Sequence, residues 1–499
     1  MGKVFKVGVQ FNDQAFGKND LRGLVGSAIT PELFEQVGKA YAEYVRKKLS
    51  LSGDVNFWVS VAQDARLHSP ELTDALIKGL LSSGVNVIDT GIAPTPFGYF
   101  SEYNDFNKEG VSGLVGSLIV TASHNPPEYN GLKMTCNKQS LSEEEIVELR
   151  EITRKGQFSN SSRPGIYKKY NLVPDYINFV FNSFGEIGKG VKVVVDSGNG
   201  TGGVVAPELY RKLGCEVIDI YSKPDGNFPN HHPDPSNEKN LVLLKEKIAE
   251  VDADFGIAFD GDSDRVGIID NTGYSIPGDQ LLLLFALDIL ENYQQTDKKP
   301  VFISEVKCSQ ILFDEINRNN GQAIMWKTGH AYIKTKMKEE NAILAGEMSG
   351  HIFFKDRFFG HDDAVYAGCR FIEIAAKNKA KNPNFKVSEL IDNLPKAYTS
   401  REVRNPCPNE LKTKVLENLA KEIDNNPDMF GSKIEKIITI DGLRIVFNGG
   451  FALIRQSNTE PTFTLRFEGS TQENCDNYQN TMLKILKENL EKLKTGSIS

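Results

Sequence analysis

Apolar and polar positions along the chain fall into one pattern three times over: an apolar strand, a polar turn, an amphipathic segment and a second apolar strand. The first copy runs through "FWVSVAQDAR" and "LTDALIKGLLSSGVNVIDTG", with Val61 and Val87 about one βαβ unit apart. The second is "VKVVVDSGNGTGGVVAPELYRKLGCEVIDIY" and the third "VFISEVKCSQILFDEINRNNGQAIMW". Such units favour parallel pairing, right-handed crossovers and helices on both faces of a sheet. After Asn382 the pattern changes. "IEKIITIDGLRIVFNGGFALIRQSNTEPTFTLRFEGS" alternates strand and turn, bracketed by helical "NELKTKVLENLAKEI" and "NYQNTMLKILKENLEKLK". The expected fold class is α/β: three successive α/β domains with mixed sheets flanked by helices, over residues 1–165, 166–270 and 271–385, then a smaller α+β domain over 386–499.

Composition narrows the classes of function. The 499 residues are 40% hydrophobic and 25% charged, as in an ordinary globular chain. The net charge of −8, from 66 acids against 58 bases, gives no global basic field for nucleic acid or an anionic membrane, so any anion site has to be built locally. Cys136, Cys215, Cys308, Cys369, Cys407 and Cys475 lie far apart with no CxxC pair, and "MGKVFKVGVQF" lacks a secretory apolar region. Both point to a reducing, cytoplasmic location. The longest apolar run, Leu281 to Leu290, is too short to span a bilayer and contains Asp288.

Candidate chemistry gathers behind the strands. "GSLIV" reads as a buried strand, so Thr121 to Asn125 form a loop at its carboxyl end, stiffened by Pro126 and Pro127, with Ser123 where open α/β sheets keep ligands. "IAFDGDSDRVGIID" sets Asp260, Asp262 and Asp264 at alternate positions after another strand. In an extended segment alternation throws all three carboxylates to one side, where they repel unless a cation sits among them. Oxygen-only ligands favour Mg²⁺ with open positions for a phosphate oxygen. An EF-hand is excluded, because Arg265 and Asn271 stand where that loop needs Gly and Glu. Arg265 adds a cation able to grip a phosphate bidentately.

Later motifs extend the anion and sugar chemistry. "LIRQSNTEPTFTLRF" offers Arg455, Ser457, Asn458 and Thr459 in a tight turn, a candidate anion nest. "LAGEMSGH" places Glu347 and Ser349 on a glycine-flexed loop, suited to vicinal sugar hydroxyls, with His351 able to move protons near neutral pH. Lys307, Lys327 and His330 add charge nearby in the sequence. "DSGNGTGG" also satisfies GxGxxG after a strand, with Asp219 about twenty residues on, as a dinucleotide fold requires. The serine loop, metal loop and phosphate nest are not needed by a dehydrogenase, so these glycines read as a tight βα turn. "FDGD" mimics the DxD of a haloacid-dehalogenase-type phosphatase, with Asp264 standing where that family expects Thr or Val.

Taken in order, "TASHNP", "DGDSDR", "GEMSGH" and "RQSNTEP" resemble the phosphoserine, magnesium, sugar-binding and phosphate-binding loops of the α-D-phosphohexomutase superfamily. "VKCSQIL", "WKTGHAYIKTKM" and "SHNPPEYNGLKM" are most similar to its phosphomannomutase/phosphoglucomutase branch, with phosphoglucosamine mutase the alternative. The resemblance implies four domains around a central cleft and the interconversion of hexose 1-phosphate and hexose 6-phosphate. It also implies hexose 1,6-bisphosphate as intermediate and activator. By the same resemblance Ser123 carries the phosphoryl group and, with Asp260, Asp262 and Asp264, binds Mg²⁺; Arg22 and Lys133 lie near the phosphoserine and, with His351, are the candidates for catalytic acid and base. Lys307, His330, Glu347, Ser349 and His351 match substrate and proton-transfer positions, and Arg455, Ser457, Asn458 and Thr459 match the clamp on the non-reacting phosphate.

Overall fold

The computed structural model describes residues 11–51, 55–158, 161, 163–293, 298–457 and 461–494. The chain forms two compact units, each from two stretches: 1–277 with 349–389, and 278–348 with 390–499. Among the described residues no helix is long and apolar enough to cross a membrane.

The first sheet of the first unit runs in the order Leu21–Leu24, Tyr129–Cys136, Ser117–Val120, Trp58–Gln63, Asn86–Ile92 and Tyr167–Lys169. Its last strand therefore comes from just beyond the boundary expected near residue 165. The sheet is mixed, as the pattern predicts. Trp58–Gln63 pairs in parallel with Asn86–Ile92 and Ser117–Val120, while Tyr129–Cys136 runs antiparallel to its neighbours. All four residues of Ser117–Val120 are buried, which explains an apolar run without alternation. Register does functional work here: Lys133 lies opposite Ile119, and Arg22 lies opposite Gly131 one strand further out. Helix Glu143–Lys155 starts with a capping box between Ser142 and Glu145, legible as Ser followed three residues later by Glu.

The second sheet, also in the first unit, has the order Ser275–Ile276, Val266–Asp270, Phe255–Phe259, Lys192–Asp196 and Glu216–Ile220. Helix Ala364–Lys381 packs on this sheet: Phe371 meets Phe255 edge-on at 4.9 Å, Lys379 pairs with Asp254, and Tyr210 donates to the Val365 carbonyl at 2.9 Å. In the second unit, Val301–Glu305 pairs in parallel with both Gln322–Trp326 and Leu344–Gly346. The same unit carries an antiparallel sheet in the order Tyr398–Thr399, Thr462–Gly469, Gly450–Gln456, Leu443–Phe447 and Ile434–Ile438, with helices Asn409–Asn425 and Gln472–Lys494.

The glycines of "DSGNGTGG" serve packing. A Cβ on Gly200 would lie 2.7 Å from the Gly261 carbonyl oxygen and 3.0 Å from its Cα, and one on Gly203 would lie 1.8 Å from the Ser222 carbonyl. Only glycine lets this turn press against the loop that follows Phe255–Phe259. Thr201 seals the contact, its N–H donating to the Gly261 carbonyl at 3.0 Å. All three atoms that a methyl on Gly200 would meet first are Gly261 backbone, so none can swing aside. Gly200→Ala should cost about 1–3 kcal/mol in chemical denaturation.

Asp196, fully buried, meets His231 Nε2 at 2.9 Å beside the same turn. Burial works against the charged imidazole, but the Asp196 carboxylate outweighs it and raises His231 above its ordinary value of 6.5. Stability from this pair is fully present below that unfolded value and is lost as pH rises through the raised folded one. The urea midpoint of the wild type should fall across that window, and His231→Asn should lose this pH dependence.

Candidate active site

Ser123 lies in the turn after Ser117–Val120 with φ of 53°, a left-handed conformation uncommon for a residue with a side chain. Its N–H donates to Thr121 Oγ1 at 2.8 Å. Its hydroxyl donates to Asp260 Oδ2 at 2.7 Å and lies 3.1 Å from His124 Nδ1. Burial, with Arg265 and Arg22 nearby, pushes the His124 imidazole well below its ordinary value, so it is neutral. The two loops touch so closely that a Cβ on Gly261 would lie 2.6 Å from the Ser123 carbonyl oxygen.

Asp260, Asp262 and Asp264 are fully buried and each offers an oxygen within 4.8 Å of the others. They converge by a different route from the extended alternation expected from sequence. Residues 260–265 form the turn between Phe255–Phe259 and Val266–Asp270, and Ser263 adopts φ of 60°. Asp260 Oδ1 accepts the N–H groups of Asp264 and Arg265, each at 3.1 Å, which closes the turn. Lys133 Nζ donates to Asp262 Oδ2 at 2.7 Å and also to Asp264 Oδ2. Thr95 Oγ1 donates to Asp262 Oδ2 at 2.6 Å.

The electrostatics follow from crowding. Burial and the carboxylates of Asp264 and Asp262 push Asp260 well above the ordinary range. Burial also acts to raise Asp262, but Lys133 overcomes it and holds that carboxyl below its ordinary value. Burial opposes the Lys133 charge, yet Asp262 and Asp264 hold the ammonium well above its usual value. Asp262 Oδ1 and Asp264 Oδ1 are buried and accept no hydrogen bond. Unsatisfied carboxylate oxygens beside a serine hydroxyl are a donor set that fits a hard divalent cation.

Arg22 reaches the serine loop through Asn125 Oδ1 at 3.0 Å and pairs with Asp20 at 2.6 Å; its buried Nε has no hydrogen-bond partner. Arg265 Nε donates to His351 Nε2 at 3.1 Å, which leaves the imidazole proton on Nδ1, 3.1 Å from the Asp264 carbonyl and 3.3 Å from Asp362 Oδ2. The first unit thus gathers Ser123, the three aspartates, Lys133, Arg22, Arg265 and His351. Ser349, half-buried, belongs to the same unit.

The second unit gathers Lys307, His330, Glu347 and Arg455. Glu347 Oε1 accepts the Gly329 N–H at 2.6 Å, just before helix His330–Glu340. Lys307 Nζ lies 3.5 Å from Glu305 and 3.4 Å from Glu402. Arg455 Nε donates to Asp441 Oδ2 at 2.9 Å, and its buried Nη2 has no hydrogen-bond partner. Thr328 N–H donates to the same Asp441 oxygen at 3.0 Å, joining the two loops. Ser457 N–H donates to the Thr462 carbonyl at 3.0 Å, whereas Asn458 and Thr459 lie outside the described residues.

Several site residues escaped the sequence reading. Thr95 and Asp362 touch the aspartate cluster and His351, and Arg66 grips the serine loop. Arg444 Nη1 donates to the Val306 and Cys308 carbonyls, the second at 2.8 Å, and Arg466 Nη1 donates to the Lys307 carbonyl at 2.6 Å. The legible signal for Arg66 was its place, with Asp64, directly after an apolar strand.

Comparison with known proteins agrees along the chain. Profiles described as phosphoglucomutase/phosphomannomutase, alpha/beta/alpha domains I, II and III, match residues 13–160, 174–273 and 277–398, and that family's C-terminal domain matches 402–485. The chain is 38% identical over 475 residues to a phosphomannomutase/phosphoglucomutase of Pseudomonas syringae pv. tomato, covering 95% of each. It is equally 38% identical over 475 residues to a phosphoglucomutase of Neisseria gonorrhoeae, covering 95% of this chain and 97% of the relative. A crystal structure of a phosphoglucomutase/phosphomannomutase family protein from Burkholderia thailandensis superposes with a TM-score of 0.86 at 35% identity, covering 96% of this chain and 98% of that one. Matched in all four parts and in order, the chain belongs to the phosphoglucomutase/phosphomannomutase family of the α-D-phosphohexomutase superfamily.

Proposed function

We propose that this chain interconverts hexose 1-phosphates and hexose 6-phosphates, with glucose and mannose as the sugars, through phosphoserine at Ser123 and a hexose 1,6-bisphosphate. The observation that carries the reading is the Ser123 hydroxyl, 2.7 Å from Asp260 Oδ2 and beside buried carboxylate oxygens that accept no hydrogen bond. Ser123 Oγ, Asp260, Asp262 and Asp264 would hold Mg²⁺, which when bound offsets the charge of the phosphoryl group in transfer. Asp260 orients the hydroxyl by accepting its proton in a hydrogen bond. Lys133 keeps Asp262 charged, pairs with Asp264 and adds a fixed positive charge to the cluster. Arg22, with its unspent Nε, and Arg265 face the phosphate that enters or leaves. His351, its Nε2 accepting from Arg265, is placed to exchange a proton once that arginine turns to a phosphate. Such catalysis is mainly positioning and electrostatics.

Glu347 of the second unit takes the sugar hydroxyls, with Lys307 and His330 from the same unit and Ser349 from the first as further substrate groups, and Arg455 holds the phosphate that is not reacting together with Ser457, Asn458 and Thr459. The bisphosphate turns end for end between the two transfers, so one clamp serves both of its phosphates. Hexose 1,6-bisphosphate re-primes any enzyme whose serine has lost its phosphate.

A coupled assay with glucose 1-phosphate and mannose 1-phosphate tests the reading. The 6-phosphates should form without net release of inorganic phosphate; stoichiometric phosphate release identifies a phosphatase and overturns it. Peptide mapping should place a phosphoryl group on Ser123, and finding it on Asp260 instead would have the same force. Asp262→Asn should remove most activity and weaken Mg²⁺ binding in titration calorimetry, since one of three anionic ligands is lost. Arg455→Ala removes a charge-assisted contact with either phosphate, so kcat/KM should fall by about 2 to 3 kcal/mol, roughly thirty- to more than a hundredfold, equally in both directions. A defect in one direction alone rules out the turning bisphosphate.

A further inference from the structure

The loop that carries Ser123 has its backbone oxygens taken up by side chains from outside it. Arg66 is 1% exposed. Its Nη2 donates to the carbonyls of Ser123 at 2.9 Å and Asn125 at 2.6 Å, and its Nη1 to those of Pro126 at 2.6 Å and Tyr129 at 3.0 Å. Its Nε and backbone N–H each donate to Asp64 at 3.0 Å, to one carboxylate oxygen apiece. Asp64 is itself fixed by the Ser69 hydroxyl at 2.6 Å. Two imidazoles complete the row, His232 Nε2 at 2.6 Å from the His124 carbonyl and His68 Nε2 at 3.0 Å from that of Pro127. The Phe228 ring covers the guanidinium, 5.5 Å from Cζ to the ring centroid.

We propose that Arg66 is a positioning residue for phosphoryl transfer: it holds the serine loop by four carbonyls, so that Ser123 keeps its left-handed backbone and its hydroxyl stays at Asp260 through the catalytic cycle. The inference rests on the mutase reading of Ser123. A non-glycine residue at positive φ persists only where its surroundings over-determine it, and Arg66 supplies four of the hydrogen bonds that do so here. The loop also has to survive a change of charge, because a phosphoserine adds about −1.5 to −2 next to three carboxylates. A loop held only by its own turn would shift to relieve that repulsion. Arg66 resists the shift from the backbone side, without touching the transferred group. The planar fork is essential to this role: a lysine carries the same charge but cannot present fixed donors to four oxygens at once.

Two variants test the role, Arg66→Lys and Asp64→Asn. The readouts are kcat and KM for glucose 1-phosphate, the single-turnover rate of Ser123 phosphorylation by glucose 1,6-bisphosphate, and amide hydrogen exchange along 121–131. A misplaced reacting group costs roughly 10- to 100-fold in rate. Both kcat and the single-turnover rate should fall by about that much with KM changed less than about twofold, because Arg66 makes no substrate contact. Exchange should speed up along 121–131 and stay unchanged elsewhere. If Arg66→Lys does not accumulate as folded protein, Asp64→Asn carries the same comparison, since it keeps the arginine and removes only the charge that orients it. Unchanged kcat with unchanged loop exchange overturns the proposal. So does a loss of kcat in proportion to the folded fraction, with protection lost throughout, which makes Arg66 an ordinary buried residue. If wild-type Ser123 accepts no phosphoryl group, the mutase reading fails, and the exchange measurement still decides whether Arg66 holds the loop.

Discussion

Three carboxylates buried within reach of one another cannot all keep their charge unless positive charge is set among them, and much of the first unit is arranged around that requirement. Asp260, Asp262 and Asp264 share one small space. Lys133 enters it from the strand beside the one that leads to Ser123, which is why the register of that pair matters. One ammonium does not balance three carboxylates. The remaining imbalance appears as the raised Asp260 and the two oxygens without hydrogen bonds, a deficit that suits a bound cation. The glycine contacts serve the same end: Gly200 and Gly261 let three backbone turns meet where side chains would have held the charges apart.

Guanidinium groups repeat one device in both units. Arg66 takes the carbonyls of the serine loop, and Arg444 and Arg466 take those of Val306, Lys307 and Cys308. Arg444 lies over the Phe451 ring at 3.6 Å, and Arg466 pairs with Asp279 at 3.2 Å, so each fork is itself fixed. Loops that must present side chains to a ligand are short of regular secondary structure. A buried fork of donors supplies the backbone hydrogen bonds that a helix or sheet would otherwise give.

What could be read from the sequence divides along the same line. The three repeats, the strand-and-turn α+β tail and the strand-end loops were legible because apolar periodicity is local. Ser123 and the aspartates were legible because reactive types crowded into a few positions after a strand. Arg66, Thr95, Asp362, Arg444 and Arg466 were not, because their meaning lies in partners distant in sequence: Arg66 to the Ser123 carbonyl spans 57 positions and Thr95 to Asp262 spans 167. The aspartates were placed together for the wrong geometric reason, since a turn with a left-handed Ser263, and not an extended segment, brings them together. The GxGxxG spacing misleads for a similar reason: close backbone approach demands glycine whether the neighbour is a pyrophosphate or another loop.

The order of the chain adds a constraint on how the protein is made. The first unit is interrupted: its residues up to 277 are followed by 278–348 of the second unit before 349–389 return to it. The returning stretch brings His351, Asp362 and the helix Ala364–Lys381, all of whose residues from Ala364 to Ala375 are buried. On the ribosome the second sheet, complete at Ile276, therefore emerges well before the helix that covers it, which begins only at Ala364, and its apolar face has to wait through the whole intervening stretch. A nascent chain that pauses in that interval exposes an apolar surface that the finished fold buries.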